Sequence, residues 1–140
     1  MIKILVTGCC GFIGFNFAKF LANSNEKIHI IGIDNFSDYY SVIYKKQRLN
    51  ELLKNKRFKF YKVDVTQYKE LEKIYKKNIF HHIFHFAAQA GVRYSLVNPK
   101  SYIKNNVNGF FNILNLSLKF KVKKFFYASS SSVYGDKKKF

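Results

Sequence analysis

Three glycines, Gly8, Gly11 and Gly14, recur at every third position of the stretch TGCCGFIG (7–14). Glycines at this spacing can wrap an anionic ligand. Gly8 permits a tight turn, and Gly11 leaves no Cβ between the backbone and a pyrophosphate. Gly14 lets a helix lie close against the strand before it. A purely structural turn also wants glycine, so the flanking elements decide between the two. An apolar run at 2–6 reads as a buried strand, and residues 12–21 read as a helix whose first N–H groups lack intrahelical partners. Strand, glycine turn and helix in that order make a dinucleotide site. Asp34 stands 20 residues after Gly14, at the end of a second apolar run. A carboxylate at that spacing accepts hydrogen bonds from an adenosine ribose and repels the extra phosphate of NADP, which selects NAD; the plainer alternative is that Asp34 starts a turn.

Further side chains invite chemistry. Asp64 closes a third strand-like run and has two readings by spacing, a partner for an adenine amino group or the start of a turn. His81, His82 and His85 crowd one segment, but in a strand His82 and His85 face opposite sides of a sheet, and no acidic residue or cysteine stands nearby to complete a ligand set. No metal site is expected. Cys9 and Cys10 are neighbours inside the glycine turn, without zinc or disulfide spacing, and read as small free thiols.

The elements that must position these groups alternate. Strands are expected at 2–6, 28–33, 58–63, 79–86 and 122–128, and helices at 12–21, 42–53, 66–77 and 101–120. Pro99 precedes the last of these helices, and the small residues Ala87, Ala88, Gln89, Ala90 and Gly91 follow the fourth strand, where a cofactor can approach closely. Such alternation implies an α/β fold: a Rossmann-type doubly wound parallel sheet of five strands, order 3-2-1-4-5, with helices on both faces. Residues 1–140 then form one domain, and residues 136–140 are a basic scrap with no visible element.

With 48% hydrophobic and 19% aromatic residues the chain is globular in composition. No apolar run reaches the length of a membrane span, and a strand directly after Met1 leaves no room for a signal peptide, so a cytoplasmic location is expected. The net charge of +17 draws attention to nucleic acid. Of the 25 basic residues, however, three are arginine (Arg48, Arg57 and Arg93), and the lysines spread over every expected helix. Specific nucleic-acid surfaces cluster arginine on one face, so no specific nucleic-acid partner is expected.

Several motifs together resemble the amino-terminal half of an extended short-chain dehydrogenase/reductase, and within it the NAD-dependent nucleotide-sugar epimerases, UDP-glucuronate 4-epimerases in particular. They are TGCCGFIG (7–14), GIDNFSDYY (32–40), HFAAQAGVRYS (85–95), NNVNGFFNIL (105–114) and YASSSSVYG (127–135). The resemblance implies that Gly8, Gly11, Phe12 and Ile13 line the NAD pyrophosphate. It assigns Asp34 and Asn35 to the adenosine ribose and Asp64 and Val65 to the adenine. Ala87, Ala88 and Gln89 run along the cofactor, with Asn105 or Asn106 supporting that region. Ser130, three before Val133, matches the catalytic Ser/Thr that hydrogen-bonds the sugar 4-hydroxyl, while Ser131, Ser132 and Arg93 are candidate contacts to the substrate carboxylate. The implied reaction oxidises the sugar at C4, turns the 4-keto sugar over and re-reduces it on the other face. Related dehydratases carry an Asp-Glu pair directly after the catalytic Ser/Thr. Here Ser131 and Ser132 stand in its place, which disfavours dehydration.

The pattern departs from the family in one respect. Its Tyr-x-x-x-Lys pair belongs on a helix after the fifth strand. The pair with that spacing here, Tyr134 and Lys138, falls in the Val-Tyr-Gly motif, where Gly135 opposes a helix. The expectation is therefore an amino-terminal part of an epimerase, inactive alone and lacking the sixth strand and the substrate domain. The alternatives are a non-catalytic NAD-binding remnant or one half of a split enzyme. A dehydratase and a basic nucleic-acid-binding protein rank behind these. The resemblance also implies a UDP-sugar substrate, and a homodimer through the helices at 42–53 and 101–120.

Overall fold

The computed structural model describes residues 1–24 and 27–136. Strand β1 (Ile2–Thr7) sits at the centre, because both of its faces are apolar and only a central parallel strand can bury both. It pairs in parallel with β2 (Ile28–Asp34) on one side and β4 (His82–His85) on the other. Strands β3 (Phe58–Lys62) and β5 (Lys124–Tyr127) complete an all-parallel sheet in the order β3-β2-β1-β4-β5, as expected. Alternate residues of the strands feed two separate cores. Ile4, Val6 and Ile30 pack beneath α1 (Phe12–Asn23) and α2 (Val42–Leu53), with Ala18, Ala22 and Leu52. Leu5, Ile31, Ile33 and Ile83 pack beneath α3 (Tyr68–Lys77) and α6 (Phe110–Lys119), with Leu71, Ile113 and Leu116.

The expected elements are present with altered ends. The β4 ladder covers four residues instead of 79–86. On either side of it the chain stays bound to β1 through His81 N to Lys3 O and Phe86 N to Thr7 O, but no longer as a regular strand. A short helix, α4 (Val92–Val97), was not expected; it buries no residue and so has no apolar periodicity to betray it. The single helix expected at 101–120 is three joined pieces. They are α5 (Pro99–Tyr102), a wide π-helical stretch (Ile103–Gly109) and α6. Pro99 takes the first helical position and the Asn98 side chain accepts the Ser101 N–H, a normal helix start. The two helical segments expected to supply a dimer surface, 42–53 and 101–120, are both helical and lie apart from one another. Val42 to Leu53 packs beside α1 and the helix running through Ser101 to Phe120 beside α3, on opposite faces of the sheet. Residues 137–140, which include Lys138 and most of the basic tail, lie outside the described residues. Among the described residues no helix is long and apolar enough to cross a membrane.

The two central strands are tied at their carboxyl ends by a buried polar contact. Thr7 Oγ1 accepts the N–H groups of Phe86 (3.2 Å) and Ala87 (3.0 Å), which leaves its own proton free for His85 Nδ1 at 2.8 Å. The His85 ring is therefore neutral with its proton on Nε2. Burial pushes its pKa down to about 4. A base whose folded pKa lies below its unfolded value of about 6.5 destabilises the fold as pH falls, because the unfolded chain takes up the proton first. Stability is thus expected to fall between about pH 6.5 and pH 4, His85 contributing up to roughly 3 kcal/mol. His29 and His82, also lowered by burial and nearby lysines, add to that slope. The urea midpoint of His85→Asn, measured against pH, should depend on pH less steeply than that of the parent; an unchanged slope would contradict this assignment.

Candidate functional site

The glycine turn is shaped by two close approaches. Gly8 has φ +65°, and a Cβ there would stand 2.8 Å from Ala87 N, so the turn presses on the chain leaving β4. At Gly14 a Cβ would lie 2.2 Å from Gly8 O, which fixes how closely α1 approaches the turn. The start of α1 carries no side-chain cap and no acidic residue in its first turn. Its N–H groups at Phe12 and Ile13 and the positive end of its dipole therefore remain available to an anion. Cys9 and Cys10 are both buried and free, and burial pushes the Cys9 thiol well up, so it stays protonated. They pack within the turn as fillers.

Asp34 joins this turn to the end of β2. Its Oδ2 accepts the Cys10 N–H at 3.0 Å and its Oδ1 accepts the Phe36 N–H at 2.9 Å. The turn reading made from its spacing therefore holds, and the same side chain is placed where the ribose reading needs it. It begins the turn at 34–36, and it lines a cleft together with Gly8 and Gly11. A carboxylate has about four acceptor positions, so two backbone bonds leave room for two ribose hydroxyls. The cleft has a volume of about 210 Å³ and opens at the carboxyl ends of β1, β2 and β4, where the strand order reverses and parallel sheets bind ligands.

Most of the residues singled out from the sequence converge here. Asn35, Val65, Ala87, Ala88, Gln89 and Asn105 line the same cleft. Asn106 lies outside it and grips its wall: its Oδ1 accepts the Gln89 N–H (2.7 Å) and its Nδ2 donates to Gln89 O (3.0 Å). Both asparagines sit on the π-helical stretch, and Gly109 brings that stretch against β3's end, where a Cβ would come within 2.6 Å of Val65 Cγ2. Asp64 faces its own turn. Its oxygens accept from Asn35 Nδ2 (2.9 Å), Thr66 N (2.8 Å) and Thr66 Oγ1 (2.7 Å). Burial alone would raise its pKa, but these bonds, with Lys104 nearby, hold the carboxyl below its ordinary range.

Other residues are placed apart. Phe12 and Ile13 expose their side chains, leaving their backbone as the part that faces an anion. Arg93 is exposed on α4 and does not line the cleft. Ser130 caps a short exposed 3-10 helix, Ser131–Tyr134, accepting the Ser132 N–H at 3.3 Å and donating to Ser132 Oγ at 3.2 Å. Tyr134 ends that helix and Gly135 follows with φ +61°, so the Tyr134 to Lys138 spacing does not lie on one continuing helix. Among the described residues no three His, Cys, Asp or Glu side chains gather as a metal site.

The sequence reading passed over one wall of the cleft. Ser37, Tyr39, Tyr40 and Lys45 line it. Lys45 is only 4% exposed, and its Nζ donates to Ser37 O (2.7 Å) and Ser37 Oγ (3.0 Å) over the Tyr40 ring. Burial lowers its pKa, while Asp34, Cys10 and Asp38 oppose that shift. A signal was present. Lys45, Leu49 and Leu52 fall at i, i+4 and i+7, so this lysine lies on the apolar stripe of α2.

A family model described as GDP-mannose 4,6 dehydratase matches residues 5–140. The chain belongs to this NAD-dependent epimerase/dehydratase family. It is 44% identical over 130 residues to a UDP-glucuronate 4-epimerase of Thermodesulfobacterium geofontis, a match that covers 93% of this chain and 40% of the relative. UDP-glucuronate 4-epimerase 4 of Arabidopsis thaliana is 39% identical over 135 residues, 96% of this chain and 30% of the relative. Among solved structures, the UDP-glucuronic acid 4-epimerase of Bacillus cereus in complex with UDP-glucuronic acid and NAD superposes with a TM-score of 0.89 at 34% identity. That match covers 99% of this chain and 43% of the other. The UDP-Glc/GlcNAc 4-epimerase of Campylobacter jejuni gives 0.85 at 29% identity, covering 99% of this chain and 40% of the other. The chain therefore spans less than half the length of these relatives.

The packing at Gly14 yields a test whose sign is informative. On helix propensity alone, Gly14→Ala would stabilise α1 by roughly 0.5–1 kcal/mol. The clash with Gly8 O reverses this, and the variant is expected to lose about 1–3 kcal/mol in urea unfolding. A gain in stability would show that the turn does not press on α1 in this way.

Proposed function

We propose that this chain is the NAD-binding part of a nucleotide-sugar 4-epimerase acting on UDP-glucuronate. The observation that carries the cofactor is the cleft lined by Gly8, by Gly11 at the uncapped start of α1 and by the Asp34 carboxylate. Phe12 and Ile13 N–H would hold the pyrophosphate, with Asp34 and Asn35 on the adenosine ribose. Val65 flanks the adenine, whereas Asp64 acts by holding Asn35 in place. Ala87, Ala88 and Gln89 form the opposite wall, which Asn106 fixes. Bound NAD supplies a reversible hydride acceptor for C4 of the sugar. The residues of this chain bind it, orient it and set its selectivity.

The sugar assignment rests on the relatives named UDP-glucuronate 4-epimerase and on the serine row. Ser130 is the candidate partner of the 4-hydroxyl, and Ser131, Ser132 and Arg93 are the candidates for the substrate carboxylate. Ser131 and Ser132 supply neither an acid nor a base of carboxylate type, so epimerisation is favoured over the dehydration in the family model's description. The phenolate that takes the 4-OH proton must come from a tyrosine paired with a lysine one turn on along a helix, and Tyr134 ends a four-residue 3-10 helix at Gly135. A polypeptide of these 140 residues is accordingly expected to bind NAD without converting UDP-glucuronate.

Calorimetric titration checks the cofactor. NAD should bind more tightly than NADP, because the added phosphate would meet the Asp34 carboxylate. Gly11→Val, which puts a branched side chain into the cradle, should weaken NAD binding at least tenfold, and Asp34→Ala should reduce the preference over NADP. NAD affinity that ignores both substitutions would refute the site. Turnover of UDP-glucuronate by the purified polypeptide would refute the division of labour.

A further inference from the structure

Residues 35–41, which follow β2, cross towards the chain that leaves β4, and two tyrosines meet at the crossing. Tyr39 lines the cleft, and its ring centroid lies 4.9 Å from that of Tyr94 on α4. The Tyr39 hydroxyl rests directly on Gly91, where a Cβ would approach it to 2.2 Å and where φ is +94°. Tyr94 is braced in turn. Its hydroxyl accepts from Asn98 Nδ2 (3.3 Å) and its ring lies 6.4 Å from that of Tyr102. Tyr102 donates to Ala90 O and Gly91 O, binding the same turn from beneath. The near end of the crossing segment is held as firmly: the Phe36 ring packs tilted, 5.6 Å from that of Phe60 of β3, and Lys45 clamps Ser37. The span is anchored at both ends and closed in the middle by one aromatic contact.

Resting on the NAD reading above, we propose that Tyr39 and Tyr94 form a clasp over the cleft that slows release of the bound dinucleotide. The cleft has one wall from residues 34–40 and the other from residues 86–90, and Tyr39 against Tyr94 and Gly91 ties those walls together. A dinucleotide seated between the walls leaves only after the aromatic contact parts. The clasp thus acts on the off-rate more than on the on-rate. Retention suits a chemistry that returns the hydride to the substrate it came from, because such a cycle needs no exchange of cofactor between turnovers. Tyr94 does not line the cleft, so any effect it has on the nucleotide passes through Tyr39 or Gly91; it is a positioning residue.

Stopped-flow displacement of a fluorescent etheno-adenine analogue of NAD by excess NAD reads the release rate directly. Tyr94→Ala should release the analogue roughly three- to tenfold faster than the parent chain, the scale of one aromatic pair. Tyr94→Phe, which keeps the ring, should restore the parent rate. Tyr39→Ala combined with Tyr94→Ala should be no faster than Tyr39→Ala alone, since both remove the same contact. Tyr94→Leu serves as a second variant if the alanine variant fails to fold, and the urea midpoint of each variant checks for loss of structure. An off-rate unchanged in Tyr94→Ala and Tyr94→Leu, with the parent still binding, would overturn the clasp alone. A parent chain that binds neither NAD nor the analogue would overturn the NAD reading and the clasp with it.

Discussion

The Asp34 carboxylate is the contact on which the rest of the arrangement depends. One oxygen holds the Cys10 N–H of the glycine turn and the other holds the Phe36 N–H of the segment after β2. Hydrogen bonds to a charged acceptor are stronger than neutral ones, and Asp34 is buried, so this bridge is stiff. It fixes the distance between the glycine turn and the segment after β2, the two places proposed for the pyrophosphate and the ribose. The turn in turn sets α1 through Gly14 and presses on Ala87 through Gly8. One acidic side chain thereby aligns the carboxyl ends of three parallel strands.

The fold was legible because its signals are local and repeated. Both faces of β1 and β2 are buried, so they read as continuous apolar runs, and the alternation of strands with helices leaves few topologies once crossovers are right-handed. What escaped the sequence are features without periodicity. Helix α4 buries nothing, so no apolar spacing marks it. The π-helical stretch at Ile103–Gly109 looks like ordinary helix in sequence, because its wider turn follows from contacts made with Gln89 and Val65 across the fold. The placing of α2 and α6 on opposite faces is a consequence of crossover direction and not of either helix's composition.

The site divides along the same line. Positions in the glycine turn and at the strand ends are set by spacing along a few elements, so the sequence could bring Gly8, Gly11, Asp34 and Ala87 to one place, and all four line the cleft. The wall made by Ser37, Tyr39, Tyr40 and Lys45 depends on how one irregular segment folds back, and polar-aromatic composition alone does not reveal that. Lys45 is the instructive case. A lysine on an apolar stripe is buried only when oxygen atoms await it, here both oxygens of Ser37. The serine row shows the reverse. Its residues match a catalytic pattern in sequence, yet Ser130 to Ser132 stand exposed beyond β5, where the Ser130 side chain bonds to Ser132. On the proposed function, the cofactor cradle is assembled within this chain, whereas the chemistry at the sugar needs groups brought to those serines.

In the proposed site one cleft holds NAD with Asp34 on the ribose and the start of α1 on the pyrophosphate. A crystal structure of the 140-residue chain grown with NAD tests it most directly. Ribose hydroxyl oxygens are expected within about 2.6–3.2 Å of the Asp34 carboxylate and pyrophosphate oxygens facing the Phe12 and Ile13 N–H groups, with the Cys10 and Phe36 bonds to Asp34 intact. A dinucleotide bound elsewhere, or one whose arrival breaks both of those bonds, would contradict it.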